Sequence, residues 1–400
     1  MKRYLIVGNG VAGATAAEKI RDADPQGAIT IITDEGQAFY SRLRLPEVMA
    51  GEKEAAAITL RSKAWYAEHG LDLRLDTEAV AINLQARAVL TKDGQSLPYD
   101  ELLLAVGSRS LVPPIPGADK PGVFTLRSVA DALAIGRAAR ETSSAVLIGG
   151  GLLGLEAATA LARLGLSVKV AEYFERLLPR QLDQAGAAML QAILEARGFE
   201  FFLGAKSREL TAKGEGLVLS LEDGRSLGGG LVLVSAGIKL NLDLARQAGL
   251  SVDKGLVVDD RMATSAEGVW AAGDLVQHRG RVYGLWPASQ AQGAVAGQNM
   301  AGGQALYQGT SPSNTLKVAG VDLTSAGNID AEGLLESAVF QDERVYRKIV
   351  LKHGKIDGLI FFGTKAGVKA CQAAMDQARD VSPWARAMAG ADFDFNQLLA

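Results

Sequence analysis

The feature that most constrains this chain is a glycine motif that occurs twice, each time between a short apolar run and an alanine-rich helical pattern. GNGVAG at residues 8–13 follows YLIV, and GGGLLG at residues 149–154 follows AVLI. In such a motif the first glycine permits a tight turn, the second lets the backbone approach a pyrophosphate, and the third lets the helix pack closely against the strand. The free N–H groups at the helix N-terminus favour an anion. Each motif therefore predicts a dinucleotide cradle, built on Gly8, Gly10 and Gly13 in one case and on Gly149, Gly151 and Gly154 in the other.

The elements that follow the two motifs also repeat in the same order. Each motif is followed by a strand that ends in acidic residues, by an Asp-Gly hairpin and by an apolar strand that ends in glycine; these elements lie at 28–35, 89–97 and 102–107, and again at 167–172, 218–227 and 231–237. Such ordered repetition predicts two copies of one α/β nucleotide-binding unit.

The acidic strand ends have a specific use in such a unit. A carboxylate at the end of the second strand can accept hydrogen bonds from the hydroxyls of a ribose. Glu35 is the first choice in the first unit, with Asp34 second, and Glu172 is the choice in the second unit.

Composition excludes several classes of protein. A chain of 400 residues predicts two or three domains. The net charge of −3 gives no basic field that would attract nucleic acid or an anionic membrane. The sequence has no uninterrupted apolar run of about eighteen residues, so no membrane-spanning helix is expected. Cys371 is the single cysteine, so no intrachain disulfide or cysteine metal site is possible, and a reducing cytoplasm is expected. Glycines interrupt the apolar run near the N-terminus, so no secretory leader is expected, and no metal site is predicted.

Three further segments carry candidate residues. Arg42, in FYSRLRLP at 39–46, lies close behind the first nucleotide strand and could hold a phosphate or a flavin carbonyl. WAAGD at 270–274 is a short apolar strand that delivers Asp274 to the start of a turn. Beyond residue 308 the sequence predicts strands at 316–318, 345–352 and 356–362, and a helix at 366–379 in which Cys371 is expected to be structural.

The two glycine units together with WAAGD resemble the two-dinucleotide-binding-domain flavoproteins of the pyridine nucleotide-disulfide oxidoreductase superfamily. The resemblance implies an α/β fold of the glutathione-reductase type, with two Rossmann-like three-layer domains and a small α+β C-terminal domain. It implies an FAD-binding domain at 1–110 and 238–308, an NAD-binding domain at 111–237 and the C-terminal domain at 309–400. It also implies FAD in the first cradle, NADH in the second, and Asp274 on the ribityl chain of FAD.

The same resemblance extends the cofactor-binding set. Ala105, Gly107 and Arg109 match an Ala-Thr-Gly-type stretch of the family, with Val106 in place of the usual threonine. Trp286 and Pro287 are expected against the isoalloxazine, although Trp286 could be a plain core residue, and Val80 and Gly237 complete the set. Glu156 is similar to the family glutamate near the nicotinamide and is the one catalytic candidate; its alternative role is to stabilise the helix N-terminus.

The missing cysteines decide how electrons leave the protein. No redox cysteine occurs between residues 40 and 51, so electrons are expected to leave the flavin directly. Residues 172–183 and 316–320 resemble NADH:rubredoxin reductases and the flavoprotein portion of NADH-dependent nitrite reductases. Since no cysteine-rich iron–sulfur or siroheme segment follows, a free-standing reductase is expected.

Two expectations concern specificity. Glu172 would repel a 2′-phosphate, which favours NADH over NADPH, although Arg176 could moderate this preference. HRGR at 278–281 could steer a small acidic carrier or be only a solvated loop. Rubredoxin is the favoured carrier and ferredoxin the next; an NADH oxidase or diaphorase, and an NADH-sensing flavoprotein that signals without turnover, remain alternatives.

Overall fold

Two parallel five-stranded sheets dominate the fold, one in each of two units. The structure is a computed structural model that describes residues 1–214, 216–310, 313–318 and 320–399. One unit comprises residues 1–44, 53–109 and 238–310, and the other comprises residues 45–52, 110–237 and 311–400.

The helices and strands follow one another along the chain in the order that the repeat predicts. The first part contains β1 (Arg3–Val7), α1 (Val11–Ala23), β2 (Ala28–Ile32), α2 (Leu45–Met49), α3 (Lys63–Glu68), β3 (Leu71–Arg74), β4 (Ala79–Asn83), β5 (Ala88–Thr91), β6 (Ser96–Pro98), β7 (Glu101–Leu104) and β8 (Ser108–Ser110). The second part contains β9 (Val123–Thr125), α4 (Val129–Ala139), β10 (Ser144–Ile148), α5 (Leu152–Arg163), β11 (Ser167–Ala171), α6 (Gln184–Glu195), β12 (Phe199–Phe202), β13 (Ser207–Lys213), β14 (Gly216–Leu221), β15 (Ser226–Gly229), β16 (Leu231–Val234) and β17 (Ile238–Leu240).

The remaining elements belong to the return into the first unit and to the C-terminal region. They are α7 (Asp243–Gln247), β18 (Leu256–Val258), β19 (Val269–Ala271), β20 (Val276–His278), β21 (Arg281–Val282), α8 (Trp286–Met300), β22 (Ser313–Val318), β23 (Val321–Gly327), β24 (Glu336–Gln341), β25 (Tyr346–Lys352), β26 (Lys355–Phe362) and α9 (Val368–Asp376).

The first unit is built on a parallel sheet with strand order β19-β7-β1-β2-β3. Its central strands are continuous apolar runs because both faces of the sheet are covered. Helices α1 and α8 cross at small residues: a Cβ on Gly293 would come within 2.3 Å of the Ala12 carbonyl oxygen, and one on Gly297 within 2.5 Å of that of Ala16. An antiparallel sheet of β4, β5 and β6 completes this half.

The second unit repeats that plan and adds the C-terminal region. Its parallel sheet has the order β12-β11-β10-β16-β9, and the antiparallel sheet of β13, β14 and β15 packs on it through buried leucine and valine side chains. The C-terminal region is an antiparallel sheet of order β22-β23-β26-β25-β24, covered by α9. The predicted α/β class, with two related three-layer halves and an α+β C-terminal region, is therefore confirmed.

Several boundaries differ from those read from the sequence. The strand predicted over 28–35 ends at Ile32, whose carbonyl accepts the N–H of Gly8 (2.8 Å). The helix after the first glycine motif, whose alanine-rich pattern predicts residues 14–20, spans Val11–Ala23. Of the predicted segment 316–320, Leu316–Val318 lies in β22, whereas Ala319 lies outside the described residues. The domain boundaries predicted from the resemblance stay a prediction, but residues 45–52 are grouped with the second unit, although the sequence places them inside the first.

No helix in the described part of the chain is both long enough and apolar enough to cross a membrane.

Candidate functional site

The first glycine cradle has the geometry that close binding of a dinucleotide requires. Gly8 has a φ of +109°, and a Cβ on it would lie 2.3 Å from the carbonyl oxygen of Ala105; a Cβ on Gly13 would lie 2.0 Å from that of Gly8. The packing of the protein backbone therefore requires glycine at these two positions, whether or not a ligand is bound. A Cβ on Gly10 would meet no described heavy atom within 4 Å, so the space beside it, at the N-terminus of α1, is open. An open cradle in front of free N–H groups fits a pyrophosphate.

The second cradle reproduces this geometry closely. Gly149 has a φ of +110°, a Cβ on it would lie 2.3 Å from the Ser235 carbonyl oxygen, and one on Gly154 would lie 2.6 Å from that of Gly149. Gly151 again meets no described atom within 4 Å. The two motifs therefore agree in detail: in each, the first and last glycines pack against the protein and the middle glycine leaves room for a ligand.

Beside the first cradle, two predicted cofactor residues lie together. Glu35 is half-buried and accepts hydrogen bonds from the Tyr40 hydroxyl and from the Arg42 guanidinium, whereas Asp34 is exposed. Burial opposes the charge on Arg42, but the neighbouring Tyr40, Glu35 and Asp274 outweigh it and raise the pKa of the guanidinium. The arrangement places a fixed positive charge beside the carboxylate predicted for the ribose.

Asp274 is oriented by residues that the sequence did not single out. The Ser108 hydroxyl donates to Asp274 Oδ2 (2.7 Å), and the Ser289 hydroxyl lies 3.5 Å from Oδ1. The backbone N–H of Gly273 donates to Gln292 Oε1 (2.9 Å). Because β7 and β19 are adjacent parallel strands, the turns at their carboxyl ends meet at one edge of the sheet, which brings Ser108 to Asp274. No local pattern marks Ser108, since its partner lies far away in the sequence.

Other members of the predicted first site are more dispersed. Gly107 has a φ of +59° with open space beside it, while Arg109 is exposed and donates to Asn241 Oδ1 (2.9 Å). Val80 lies in β4, near the point where the Thr77 N–H donates to the Thr33 carbonyl (2.7 Å). Their cofactor roles stay predictions.

Trp286 begins α8 and Pro287 is its second residue. The Trp286 indole is half-buried and stacks on Phe39, with ring centroids 5.8 Å apart and planes inclined by 23°, and Pro287 is exposed. An indole that is stacked on one face but still partly accessible is compatible with either predicted role, against a bound ring or in the core.

The basic loop at 278–281 is only partly exposed. His278 is fully buried, with Nε2 at 2.8 Å from Asp260 Oδ1, and Arg279 donates to both carboxylate oxygens of Asp260 (2.9 and 2.7 Å). Arg279, and then His278, lower the pKa of Asp260 to about 2, so its negative charge is kept and offsets the loop's positive charge. Arg281 is exposed. The steering role of this loop stays a prediction.

In the second unit, Glu172 points back to the cradle. It is buried and accepts the backbone N–H of Gly150 (2.5 Å) through Oε2 and that of Phe174 (2.8 Å) through Oε1. A Cβ on Gly150 would come 3.2 Å from Oε2, so little space separates the carboxylate from the turn. Gly237, at the matching edge of the sheet, has a φ of +109° and open space beside it.

The residues that follow Glu172 include two exposed aromatic rings and an arginine held by its own loop. Tyr173 and Phe174 are 62% and 51% exposed and contact each other edge to face (5.4 Å between centroids). Arg176 donates to the carbonyl oxygens of Leu182 and Pro179 (3.3 Å each), so its guanidinium is engaged within its own loop.

Glu156 lies on α5, one turn beyond its start, and is half-buried. Helix α2, which carries Glu47, packs on α4 and α5: a Cβ on Gly136 would lie 2.5 Å from the Met49 carbonyl oxygen, and Glu52 pairs with Arg163 (2.7 Å). Burial, and secondarily the Glu47 carboxylate, raise the pKa of Glu156 from its ordinary value of 4.5 to about 7. No hydrogen bond or ion pair to its carboxyl is present in the described part of the chain.

The raised pKa of Glu156 predicts a pH-dependent stability. A carboxyl whose pKa is higher in the folded than in the unfolded state contributes stability that is present below pH 4.5 and is lost as the pH rises through about 7. Glu156→Gln should abolish this loss, so the variant should gain about 1 to 3 kcal/mol on the wild type between pH 5 and pH 8. Urea unfolding at both pH values measures the difference. Glu68→Gln, on an exposed face of α3, is the control, and parallel pH profiles for wild type and Glu156→Gln would contradict the assignment.

Cys371 is fully buried in α9, and burial raises the pKa of its thiol to about 12. The thiol is therefore protonated at neutral pH and is a poor nucleophile.

Comparison with known proteins agrees with this geometry. The family described as "Pyridine nucleotide-disulphide oxidoreductase" matches residues 2–293, and "Rubredoxin NAD+ reductase C-terminal domain" matches residues 312–379. The NADH-rubredoxin oxidoreductase of Clostridium acetobutylicum is 31% identical over 90% of this chain and 91% of its own length. The assimilatory nitrate reductase electron transfer subunit of Bacillus subtilis is 35% identical over 95% of this chain, but the match covers 50% of that protein. The chain thus spans about half the length, or less, of the first curated relatives that it matches.

Solved structures give the same fold. The crystal structure of the Clostridium acetobutylicum NADH:rubredoxin oxidoreductase superposes with a TM-score of 0.81 at 29% identity, over 94% of this chain and 96% of that one. A ferredoxin reductase from Rhodopseudomonas palustris superposes over the whole of both chains with a TM-score of 0.91 at 24% identity, which shows the fold alone. With two dinucleotide cradles, an Asp274 turn at the sheet edge and a family match over residues 2–293, the chain belongs to the pyridine nucleotide-disulphide oxidoreductase family, whose members are FAD- and NADH-dependent enzymes.

Proposed function

We propose that this protein takes electrons from NADH through FAD and delivers them to a small iron carrier protein, most specifically rubredoxin. The observation that carries this proposal is the combination of two open glycine cradles with a single, buried cysteine. A chain without a reactive thiol pair has no disulfide relay, so a carrier has to take electrons from the flavin itself.

The first cradle would hold FAD. Gly10 leaves room for the pyrophosphate, and Glu35 can accept hydrogen bonds from a ribose while Arg42 balances its charge. Asp274, kept in place by the Ser108 hydroxyl, can accept a hydrogen bond from the ribityl chain. When bound, FAD supplies the redox chemistry, since it can take two electrons from NADH and give them up singly. The protein's own part is to bind, orient and electrostatically support the cofactors.

The second cradle would hold NADH. Gly151 leaves room for the pyrophosphate, and Glu172 lies at the edge of the sheet where the adenosine ribose is expected. The exposed rings of Tyr173 and Phe174 offer an apolar surface for the adenine. A 2′-phosphate would meet the Glu172 carboxylate, and the Arg176 guanidinium is already used by two carbonyl groups, so the site favours NADH over NADPH.

Rubredoxin is proposed because the C-terminal region matches the rubredoxin reductase C-terminal family and a relative of nearly the same length is a rubredoxin reductase. Ferredoxin is the second candidate, since the ferredoxin–NAD(+) reductase component of the biphenyl dioxygenase system of Paraburkholderia xenovorans is 34% identical over 86% of this chain. Oxygen and small dyes would be the acceptors of an oxidase or diaphorase.

Steady-state reduction of purified carriers tests the proposal. With NADH as donor, the FAD-loaded protein should reduce rubredoxin with a kcat/KM at least about tenfold above that for ferredoxin or oxygen, because only a matched carrier docks productively. Replacing NADH by NADPH should lower kcat/KM about tenfold or more. Equal rates with every acceptor would indicate a diaphorase, faster reduction of ferredoxin would indicate a ferredoxin reductase, and negligible turnover with all of them would favour a sensing role.

A further inference from the structure

A buried polar cluster in the second unit joins the C-terminal sheet to the loop at residues 172–183, and the proposed chemistry does not use it. The Tyr346 hydroxyl donates to Asp183 Oδ2 (2.5 Å), and Lys348 Nζ lies 3.3 Å from the same oxygen. Lys348 Nζ also donates to the Asp330 carbonyl oxygen (2.6 Å) and lies 3.6 Å from its carboxylate. All four residues are more than nine-tenths buried. Such a group of charges is costly to bury. Removal of one partner leaves another charge buried without compensation, which is strongly destabilising.

Strand β25 of the C-terminal sheet presents the two partners of Asp183 on one face. Tyr346 and Lys348 are two residues apart, so they point to the same side, while Ile349 points to the other side and into the core beneath α9. Burial, and then the neighbouring Asp183 carboxylate, raise the pKa of Tyr346 well above its usual range. The hydroxyl therefore keeps its proton and remains a donor to Asp183.

Asp183 ends the loop that begins at Glu172. Its other oxygen, Oδ1, accepts the Gly186 N–H (3.1 Å) and so caps α6, which fixes the end of the loop. Between these ends, the Arg176 guanidinium binds the Leu182 and Pro179 carbonyls and closes the loop on itself.

The other end of the same loop lies against the second cradle. Glu172 accepts the Gly150 N–H, and the Leu177 side chain would lie 2.9 Å from a Cβ on Gly150. A series of contacts along the 172–183 loop therefore links Tyr346 and Lys348, through Asp183 and the half-buried Arg176, to Glu172 beside the cradle.

We propose that Tyr346 and Lys348 are positioning residues for NADH, which act through Asp183 to hold the 172–183 loop and thereby place Glu172 against the ribose. The inference rests on the proposed NADH site in the second cradle. It gives the C-terminal region a task in nucleotide binding, because the residues that clamp the loop are supplied by its sheet. Neither residue touches the reacting atoms, so the effect should fall on NADH affinity and leave the maximal rate alone.

Tyr346→Phe tests this with the loss of a single hydroxyl. The Kd for NADH, taken from the dependence of the anaerobic flavin-bleaching rate on NADH concentration, should rise about threefold to thirtyfold, and so should the Kd for ADP-ribose, a second probe that has no nicotinamide and donates no hydride. At saturating NADH, kcat and the FAD content should stay at the wild-type values, while KM rises with Kd. Amide hydrogen exchange should become faster in residues 172–183. Lys348→Met should also raise the Kd for NADH. If either variant does not fold, Asp183→Asn takes its place.

Ile349→Val is the matched control, since it removes one buried methyl group from the opposite face of the same strand and destabilises the C-terminal core without touching Asp183. It should lower the Tm and leave the Kd for both probes unchanged. Equal Kd values for wild type and Tyr346→Phe, or equal increases in Tyr346→Phe and Ile349→Val, would overturn the positioning role. Failure of the wild-type protein to bind NADH at all would instead overturn the proposed function, so the two failures are distinguishable.

Discussion

A Gly151→Val protein is expected to fold, to keep its FAD and to lose reduction by NADH. The φ and ψ of Gly151 are −75° and 175°, which any residue adopts, and an added Cβ meets no described atom within 4 Å. The new side chain would instead occupy the open space in which the pyrophosphate of NADH is proposed to lie. Misplacing a bound substrate by about 1 Å costs roughly 100-fold in rate, so kcat/KM for NADH should fall by at least that factor.

The measurement is anaerobic flavin bleaching by NADH, followed at the visible absorbance maximum together with the FAD content per chain. Valine is a poorer helix N-cap than glycine, which costs about 1 kcal/mol of stability. Wild-type bleaching rates in Gly151→Val would show that NADH does not use the second cradle.

A Gly10→Val protein should show the complementary result and be purified without FAD. Gly10 has an extended conformation (φ −83°, ψ −169°) and open space beside it, so valine should again be tolerated by the fold and block only the dinucleotide. The affinity for FAD should fall by about 100-fold or more, because charge-assisted hydrogen bonds to the displaced pyrophosphate, about 1.5 to 3 kcal/mol each, would be lost.

The two variants serve as controls for each other. Each variant places valine at the N-cap of the corresponding helix, so the two should lose a similar amount of stability. Gly151→Val should keep FAD and lose reduction by NADH, whereas Gly10→Val should lose FAD itself. Full yellow colour in purified Gly10→Val would reject the first cradle as the FAD site. Gly8→Ala and Gly149→Ala, whose Cβ atoms would meet carbonyl oxygens at 2.3 Å, should both lower stability and cannot replace the valine variants.

Local patterns in the sequence were sufficient for the framework of the fold. The glycine spacing, the strands that end in acid and the Asp-Gly hairpins predicted the order of elements in both halves, because turn geometry and strand alternation are decided by neighbouring residues. The roles of Gly8 and Gly13 as tight packing positions followed from the same motif and agree with the atomic contacts.

Partners of single side chains were not predictable in the same way. Ser108 contacts Asp274 only because two adjacent parallel strands end at the same edge. The loop at 278–281 looked basic in sequence, but His278 is buried and Arg279 is held by Asp260. A charge pattern along the chain reports which groups exist and not which opposite charges the fold brings beside them.

Sequence alone determined that this chain has two dinucleotide cradles, an acidic residue beside each and no thiol pair to carry electrons. Those properties depend on residue type and short spacing, which local backbone geometry converts directly into structure. Tertiary structure decided the rest: the inward orientation of Glu172, the place of residues 45–52 beside α5, and the clamp of Tyr346 on Asp183. These features depend on which surfaces pack against each other. A buried charge or hydroxyl needs a hydrogen-bond partner, and that partner comes from a part of the chain that only folding brings near it.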